Sequence, residues 1–157
     1  MPRFEFELQI QAPCERVFDL SRSIELHVDS TGRSREKPVA GCTSGLIGLD
    51  EEVTWEATHF GVRQRLTSRI TAFDRPSHFR DSMVHGAFRR FDHDHWFEAV
   101  DGGTLMRESF DYDAPLWVFG RIAELLFLNR YMRGFLLERA RQIRTVSESD
   151  DWSRYLN

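Results

Sequence analysis

The first residues of the chain alternate between apolar and polar side chains. Phe4, Phe6, Leu8 and Ile10 fall on one face of an extended segment, and charged or amide side chains fall on the other. Successive side chains of a strand point to opposite faces. Residues 3–10 are therefore predicted to form a strand with one face on a core and the other in water.

Two short helices are predicted to follow this strand. The segment APCERVFDL opens with a proline suited to a first helical turn, and it has an apolar side. A second helix is predicted through residues 24–28, with Ser21 or Ser23 as its N-cap and Gly32 as its end.

The period of the pattern then changes from about 3.6 residues to 2. Six further runs alternate as strands do, and turns rich in glycine, proline or aspartate separate them. The predicted strands cover residues 35–43, 50–60, 62–74, 78–86, 88–101 and 104–113. The Asp101-Gly102-Gly103 turn is the strongest hairpin signal in the chain.

A helical period returns near Pro115. The apolar stripe that follows is interrupted by charged side chains, whereas a membrane-spanning helix needs about 20 mostly apolar residues. The pattern therefore predicts an amphipathic helix over residues 116–146 and no stable membrane insertion. The polar residues 147–157 are expected to form a loose tail, although Trp152, Tyr155 and Leu156 could dock it.

The order of these elements defines the fold class. Strands and helices are segregated, which is an α+β arrangement, and residues 1–146 are predicted to form a single domain. A curved antiparallel sheet of six to seven strands whose ends meet around a long helix leaves a cavity between its inner face and that helix.

Composition and charge narrow the class of function. A formal net charge of −4 argues against a nucleic-acid partner, and 13 phenylalanines with four tryptophans are enough to line both a core and a cavity. Cys14 and Cys42 give neither a zinc spacing nor a disulfide framework, and the N-terminus has no apolar signal-peptide core. We expect a cytoplasmic protein with reduced thiols. The sequence contains no nucleotide-binding fingerprint and predicts no cofactor; it leaves the oligomeric state open, a dimer included.

Three segments resemble a known superfamily. FEFELQIQAPCERVFDLSRSIELHVDS is similar to the opening of START-related (SRPBCC) proteins, which have the birch-pollen-allergen-like helix-grip fold. VAGCTSGLIGLDEEVTWEATHFGVRQRLTSRIT and FRDSMVHGAFRRFDHDHWFEAVDGGTLMRESFDYDAP resemble the polyketide cyclase/dehydrase-like bacterial branch, so that the likeness covers residues 3–146. Members of the superfamily carry lipids, hormones and polyketides, cyclise or dehydrate bound polyketides, or act on partner proteins. The resemblance implies an elongated apolar cavity that binds a small hydrophobic molecule, with enzyme and protein-interaction module as alternatives.

Strand alternation predicts which side chains face this cavity. The predicted ligand-binding residues are Trp55, His59, Met83, His85, Phe91, Phe97, Met106 and Phe110. A one-residue error of register or a bulge would exchange the two faces of any one strand.

Six ionisable side chains fall on the predicted inward faces: His59 and His85, already named, and His93, His95, Asp81 and Glu108. In FDHDHWFEAV, His93 and His95 share a face with two phenylalanines, and Asp81 and Glu108 point inward from other strands. Three interpretations are open: a satisfied hydrogen-bond network, an acid–base pair for catalysis, and a zinc or iron site built on His-x-His. Because an unpaired buried polar group costs several kcal/mol, we expect the histidines to pair with Asp81 or Glu108, without metal, and to anchor the polar end of a ligand.

Overall fold

The computed structural model of the chain describes residues 2–32, 34–114 and 122–157. Seven strands form one antiparallel sheet in the order β1-β7-β6-β5-β4-β3-β2. They are β1 (Arg3–Ile10), β2 (Lys37–Gly41), β3 (Glu52–His59), β4 (Val62–Asp74), β5 (His78–His85), β6 (Arg90–Val100) and β7 (Gly103–Asp113). The predicted α+β class and the curved antiparallel sheet are confirmed.

Two short helices lie between β1 and β2, and the remaining helices follow β7. The helices are α1 (Cys14–Ser21), α2 (Ile24–Ser30) and α3 (Ile122–Ser147), followed by a 3-10 turn (Asp150–Trp152) and α4 (Ser153–Leu156). The predicted start of the long helix at residue 116 lies outside the described residues. Its described part ends at Ser147, one residue beyond the prediction.

The caps of the two short helices follow from local chemistry. Pro13 occupies the N-cap of α1, one position before the first turn in which the sequence placed it. Ser23, not Ser21, caps α2, because its Oγ accepts a hydrogen bond from the Leu26 amide at 3.2 Å. The helix ends at Ser30, two residues before the predicted Gly32.

A core beneath α1 fills one end of the concave face of the sheet. The ring of Phe18, on α1, lies 5.3 to 5.4 Å from the rings of Phe73, Phe79 and Phe97 in edge-to-face geometry. Such aromatic pairs stabilise a core beyond their buried area. Packing by α1 therefore fills the part of the concave face around Phe18.

Helix α3 crosses the sheet and contacts α1, α2 and β1. Its buried side chains recur at helical spacing and form one stripe: Leu128, Leu136, Ala140 and Ile143. In the described part of the chain, no helix has both the length and the apolar character needed to cross a bilayer.

The last residues dock onto the helices near the N-terminus. The Arg16 guanidinium lies 4.3 Å from the ring centre of Trp152, and the Tyr155 hydroxyl donates to Asp29 at 2.7 Å. The sequence predicted a loose tail and gave docking as the alternative; the structure has the docked arrangement.

The core beneath α1 can be tested with one truncation. Phe18→Ala removes a fully buried ring with three aromatic neighbours, and we expect the free energy of unfolding in urea to fall by about 3–5 kcal/mol. Phe127→Ala is the control, because this side chain is 59% exposed and should change stability by less than about 0.5 kcal/mol. Equal effects of the two substitutions would contradict the assigned core.

Candidate functional site

A cavity of about 170 Å³ lies between the concave face of the sheet and α3. One water-sized probe needs about 15 Å³, so the space exceeds a packing defect by roughly tenfold. Its apolar wall includes Phe88, Phe91, Phe110, Leu128, Met132 and Leu136. Its polar side chains include His27, Glu36, His59, Asp81, His93 and Arg139.

Four ionisable side chains on β5, β6 and β7 form a square, here called the His/carboxylate cluster. The strand register places His93 opposite Asp81 and His95 opposite Glu108. The hydrogen bonds run along the diagonals: His93 Nε2 donates to Glu108 at 2.8 Å, and His95 Nε2 donates to Asp81 at 3.1 Å. Both histidines face inward and bond to these carboxylates, as the alternation of β6 predicted.

Stacking closes one side of this cluster. The ring centre of His95 lies 4.2 Å from that of Phe79 and 3.9 Å from that of His93. His95 is fully buried. His93 and Asp81 line the cavity, and the Asp81 side chain is 21% exposed. A ligand would therefore meet His93 and Asp81 first, with His95 behind them.

Burial and pairing set the charges of the cluster. Burial alone would raise the carboxyl pKa of Glu108, but the charge of His95 and the hydrogen bond from His93 outweigh it and hold that pKa well below its usual range. The pKa of Asp81 is lowered in the same way, against burial, chiefly by the hydrogen bond from His95. Both carboxyl groups are ionised at neutral pH.

The two imidazoles shift in opposite directions. Burial opposes the charged form of His95, but Glu108 and Asp81 on either side raise its pKa. Burial lowers the pKa of His93, and the neighbouring charge of His95 lowers it further. The cluster thus contains one neutral and one more readily charged imidazole between two carboxylates.

The same side chains have the donor atoms for a metal ion. Asp81, His93 and His95 each place one donor atom within 4.8 Å of the others, a set that suits zinc or iron. An ion there would have to replace the hydrogen bond between His95 and Asp81.

A second polar group lies on the cavity wall, here called the Glu36 cluster. His27 Nε2 lies 2.5 Å from a carboxylate oxygen of Glu36, and His59 Nε2 lies 3.7 Å from the other oxygen. His59 Nδ1 lies 2.7 Å from the Tyr131 hydroxyl, and His27 stacks on Trp55 at 4.0 Å. This cluster joins α2, the segment before β2, the end of β3 and α3.

Burial would raise the pKa of Glu36, but its two histidine partners lower it to about 2. Burial and the positive charge of Arg139 lower the pKa of His27. A neutral His27 that donates to an ionised Glu36 accounts for both shifts.

The sequence predicted only the strand residues of this cluster. Trp55 and His59 were found by alternation, whereas His27, Glu36 and Tyr131 were missed. His27 is three residues after the buried Ile24 on α2, and this helical spacing was the one signal for its position. Glu36 lies between α2 and β2, where no periodic pattern applies.

Half of the predicted ligand-binding residues line the cavity: Trp55, His59, Phe91 and Phe110. Phe97 and Met106 face inward but are buried in the core beneath α1. Phe97 contacts Phe18 there, and Ser21 Oγ lies 4.0 Å from the sulfur of Met106. Helix α1 covers them and separates them from the cavity.

The other two predicted residues lie at the end of β5. Met83 is partly buried beside the aromatic cluster of Phe91 and Phe110, and it is not among the cavity-lining residues. His85 is exposed, because a shift of register pairs Met83 with Ser68 but His85 with Thr67. Val84 is the extra residue, and this bulge turns His85 to the outer face.

Comparison with known proteins supports the fold. No protein-family model matches the chain, and no curated protein sequence matches it. The chain is similar to the protein TTHA0849 from Thermus thermophilus, with a TM-score of 0.71 at 20% identity over 93% of this chain and 99% of that one. It is also similar to the major latex-like protein 151 of Panax ginseng, with a TM-score of 0.66 at 16% identity over 94% and 98% of the two chains.

A third similar structure is Ara h 8.0201, with a TM-score of 0.60 at 14% identity over 90% of this chain and 97% of that one. The chain has the helix-grip fold. The resemblance to START-related proteins is thereby confirmed at the level of the fold.

Glu108→Gln tests the charges of the His/carboxylate cluster. The variant removes the ionised partner of His93 and His95 from a buried site, and we expect it to lower the free energy of unfolding by about 3–5 kcal/mol at neutral pH. Folding lowers the pKa of Glu108, so its contribution is complete above the ordinary carboxyl pKa of about 4.3 and is lost as the pH falls towards the folded value. Urea unfolding over a pH series should show the difference between variant and wild type shrinking in acid.

Glu98→Gln provides the control for this measurement. Glu98 is on β6, on the exposed face of the sheet, and its replacement should change stability by less than about 0.5 kcal/mol. A loss for Glu108→Gln that stays constant with pH would contradict the assigned ionisation.

Proposed function

We propose that this protein binds a small, largely apolar molecule, of the lipid or polyketide type, between its sheet and α3. The observation that carries this proposal is a cavity with an aromatic and aliphatic wall and a few fixed polar groups. Binding sites for small molecules have this composition, since apolar area supplies affinity and a few polar groups fix orientation.

The polar groups of the cavity support an amphipathic ligand. Asp81 and His93 face the space from the sheet, and His27 with Glu36 faces it from α2 and the following segment. Their hydrogen bonds hold them in place before a ligand arrives, which reduces the entropy lost on binding. The polar end of the ligand lies among these side chains and its apolar body lies along Phe88, Leu128 and Met132.

Filling the cavity should weaken binding. Met132→Trp replaces an unbranched side chain at the cavity wall by a bulky indole ring. We expect a neutral solvatochromic dye such as Nile red to bind the wild type saturably and to bind this variant at least about tenfold more weakly. The measurement is a fluorescence titration, with thermal unfolding to show that the variant folds.

Leu126→Trp is the matched control, because residue 126 lies on the same helix and is 63% exposed. It should leave the dye affinity unchanged. Failure of the dye to bind the wild type, or equal loss in both variants, would count against a cavity-bound ligand.

Acid–base catalysis on the bound ligand is the second candidate function. The specific observation is that His93 donates to Glu108 from Nε2, while its Nδ1 lies 3.6 Å from Asp81 at the cavity surface. A neutral imidazole in this position can accept a proton at Nδ1, and Asp81 would stabilise the imidazolium that forms. Removal of a proton next to a carbonyl group is the first step that a cyclase or dehydratase of polyketides requires.

Deuterium exchange tests this candidate without knowledge of the substrate. We expect the wild type to accelerate exchange of the acidic C–H protons of a hydrophobic 1,3-diketone, followed by NMR, and His93→Gln to lower that acceleration by about 10²-fold or more. His85→Gln is the control, because His85 is exposed outside the cavity. Equal rates for wild type and His93→Gln would remove the catalytic candidate and leave ligand binding untouched.

A further inference from the structure

Arg139 is a cationic side chain of α3 that lines the cavity. One terminal nitrogen donates to the backbone carbonyl of Ser21 at 3.1 Å, at the end of α1. The Nε atom of Arg139 is buried and has no hydrogen-bond partner among the described residues. An unsatisfied buried donor costs about 1–3 kcal/mol, so this side chain is incompletely paired.

The carboxylates of the cavity are already paired with histidines. Glu36 has His27 and His59 within ion-pair distance. Asp81 and Glu108 each have both histidines of the His/carboxylate cluster within ion-pair distance. Across residues 2–32, 34–114 and 122–157, no carboxylate forms an ion pair with Arg139, whereas Arg141 on the same helix lies 4.0 Å from Glu138.

The position of Arg139 is at the polar end of the cavity. It is close enough to Asp81 to contribute to the lowered pKa of that carboxyl group, and close enough to His27 to disfavour its charged form. Arg139 lines the same cavity as Asp81 of the His/carboxylate cluster and His27 of the Glu36 cluster. Its guanidinium is a positive group in this region that lacks an acidic partner within the described parts of the chain.

We propose that the ligand of this cavity is an amphipathic acid whose carboxylate binds the guanidinium of Arg139. This inference rests on the proposed function and specifies the class of ligand. The guanidinium retains terminal N–H groups that Ser21 does not use, and such groups bind a carboxylate through charge-assisted hydrogen bonds. A ligand with one negative charge fits better than a phosphate with nearly two. The repulsion from the three ionised carboxylates, Glu36, Asp81 and Glu108, increases with the charge of the ligand.

A matched pair of ligands tests the inference. Decanoic acid and decanol have the same chain length and differ in charge, and each is titrated against bound Nile red at neutral pH, where the acid is ionised. We expect the wild type to bind the acid at least about tenfold more tightly than the alcohol, because charge-assisted hydrogen bonds contribute a free energy of this order. Arg139→Met should remove this preference and leave the affinity for decanol unchanged.

Two variants separate binding from a structural role of Arg139 at the end of α1. Arg141→Met, at an exposed position of α3, should keep the preference for the acid. Arg139→Lys retains the charge and should keep part of the preference. If Arg139 had a purely structural role, Arg139→Met would lower the affinities for decanoic acid and decanol equally. That result would overturn the inference.

The outcomes distinguish this inference from the proposed function. If neither the dye nor either ligand binds the wild type, the proposed function fails and the inference fails with it. If both ligands bind the wild type with equal affinity, the cavity binds apolar molecules but the role of Arg139 is refuted. That second comparison needs no variant, so it stands even if Arg139→Met does not fold.

Discussion

The pairing of two carboxylates with two imidazoles across β5, β6 and β7 constrains the rest of the structure. Each buried charge would cost several kcal/mol alone, and each is stabilised by partners on neighbouring strands. A one-residue slip of β6 would turn His93 and His95 to the solvent face and leave Glu108 buried without them. The pairing therefore fixes the register, and the register in turn places Phe91 and Phe110 on the cavity wall.

Two helices divide the concave face of the sheet between them. Helix α1 packs Phe18 against one end and fills it, while α3 spans the remainder above an open space. An inward-facing side chain is therefore not always a cavity-lining one. Phe97 belongs to the first region and Phe110 to the second, although they face the same side of the sheet.

The features that depend on strand alternation alone were predicted correctly from the sequence. The succession of strands and the inward faces of His93 and His95 follow from a period of 2. Their pairing with carboxylates follows from the cost of burying polar groups. The exposed position of His85 was not predictable, because one extra residue, Val84, interrupts the pairing of β5 and exchanges its faces.

Groups outside the strands were harder to predict. His27, Glu36 and Arg139 reach the cavity from two helices and a connecting segment, and their convergence depends on how α2 and α3 are oriented over the sheet. Local periodicity contains little information about that orientation. The polar half of the cavity is thus a product of tertiary packing, whereas the His/carboxylate cluster is a product of strand geometry.

The docked C-terminal segment is connected through α2 to the polar wall of the cavity. Tyr155 is bonded to Asp29 on α2, and His27, two residues earlier on that helix, holds Glu36. A helix of seven residues has little rigidity of its own. The hydrogen bond between Tyr155 and Asp29 therefore restrains α2 from outside the cavity, and through His27 it connects residues 153–157 with the position of Glu36.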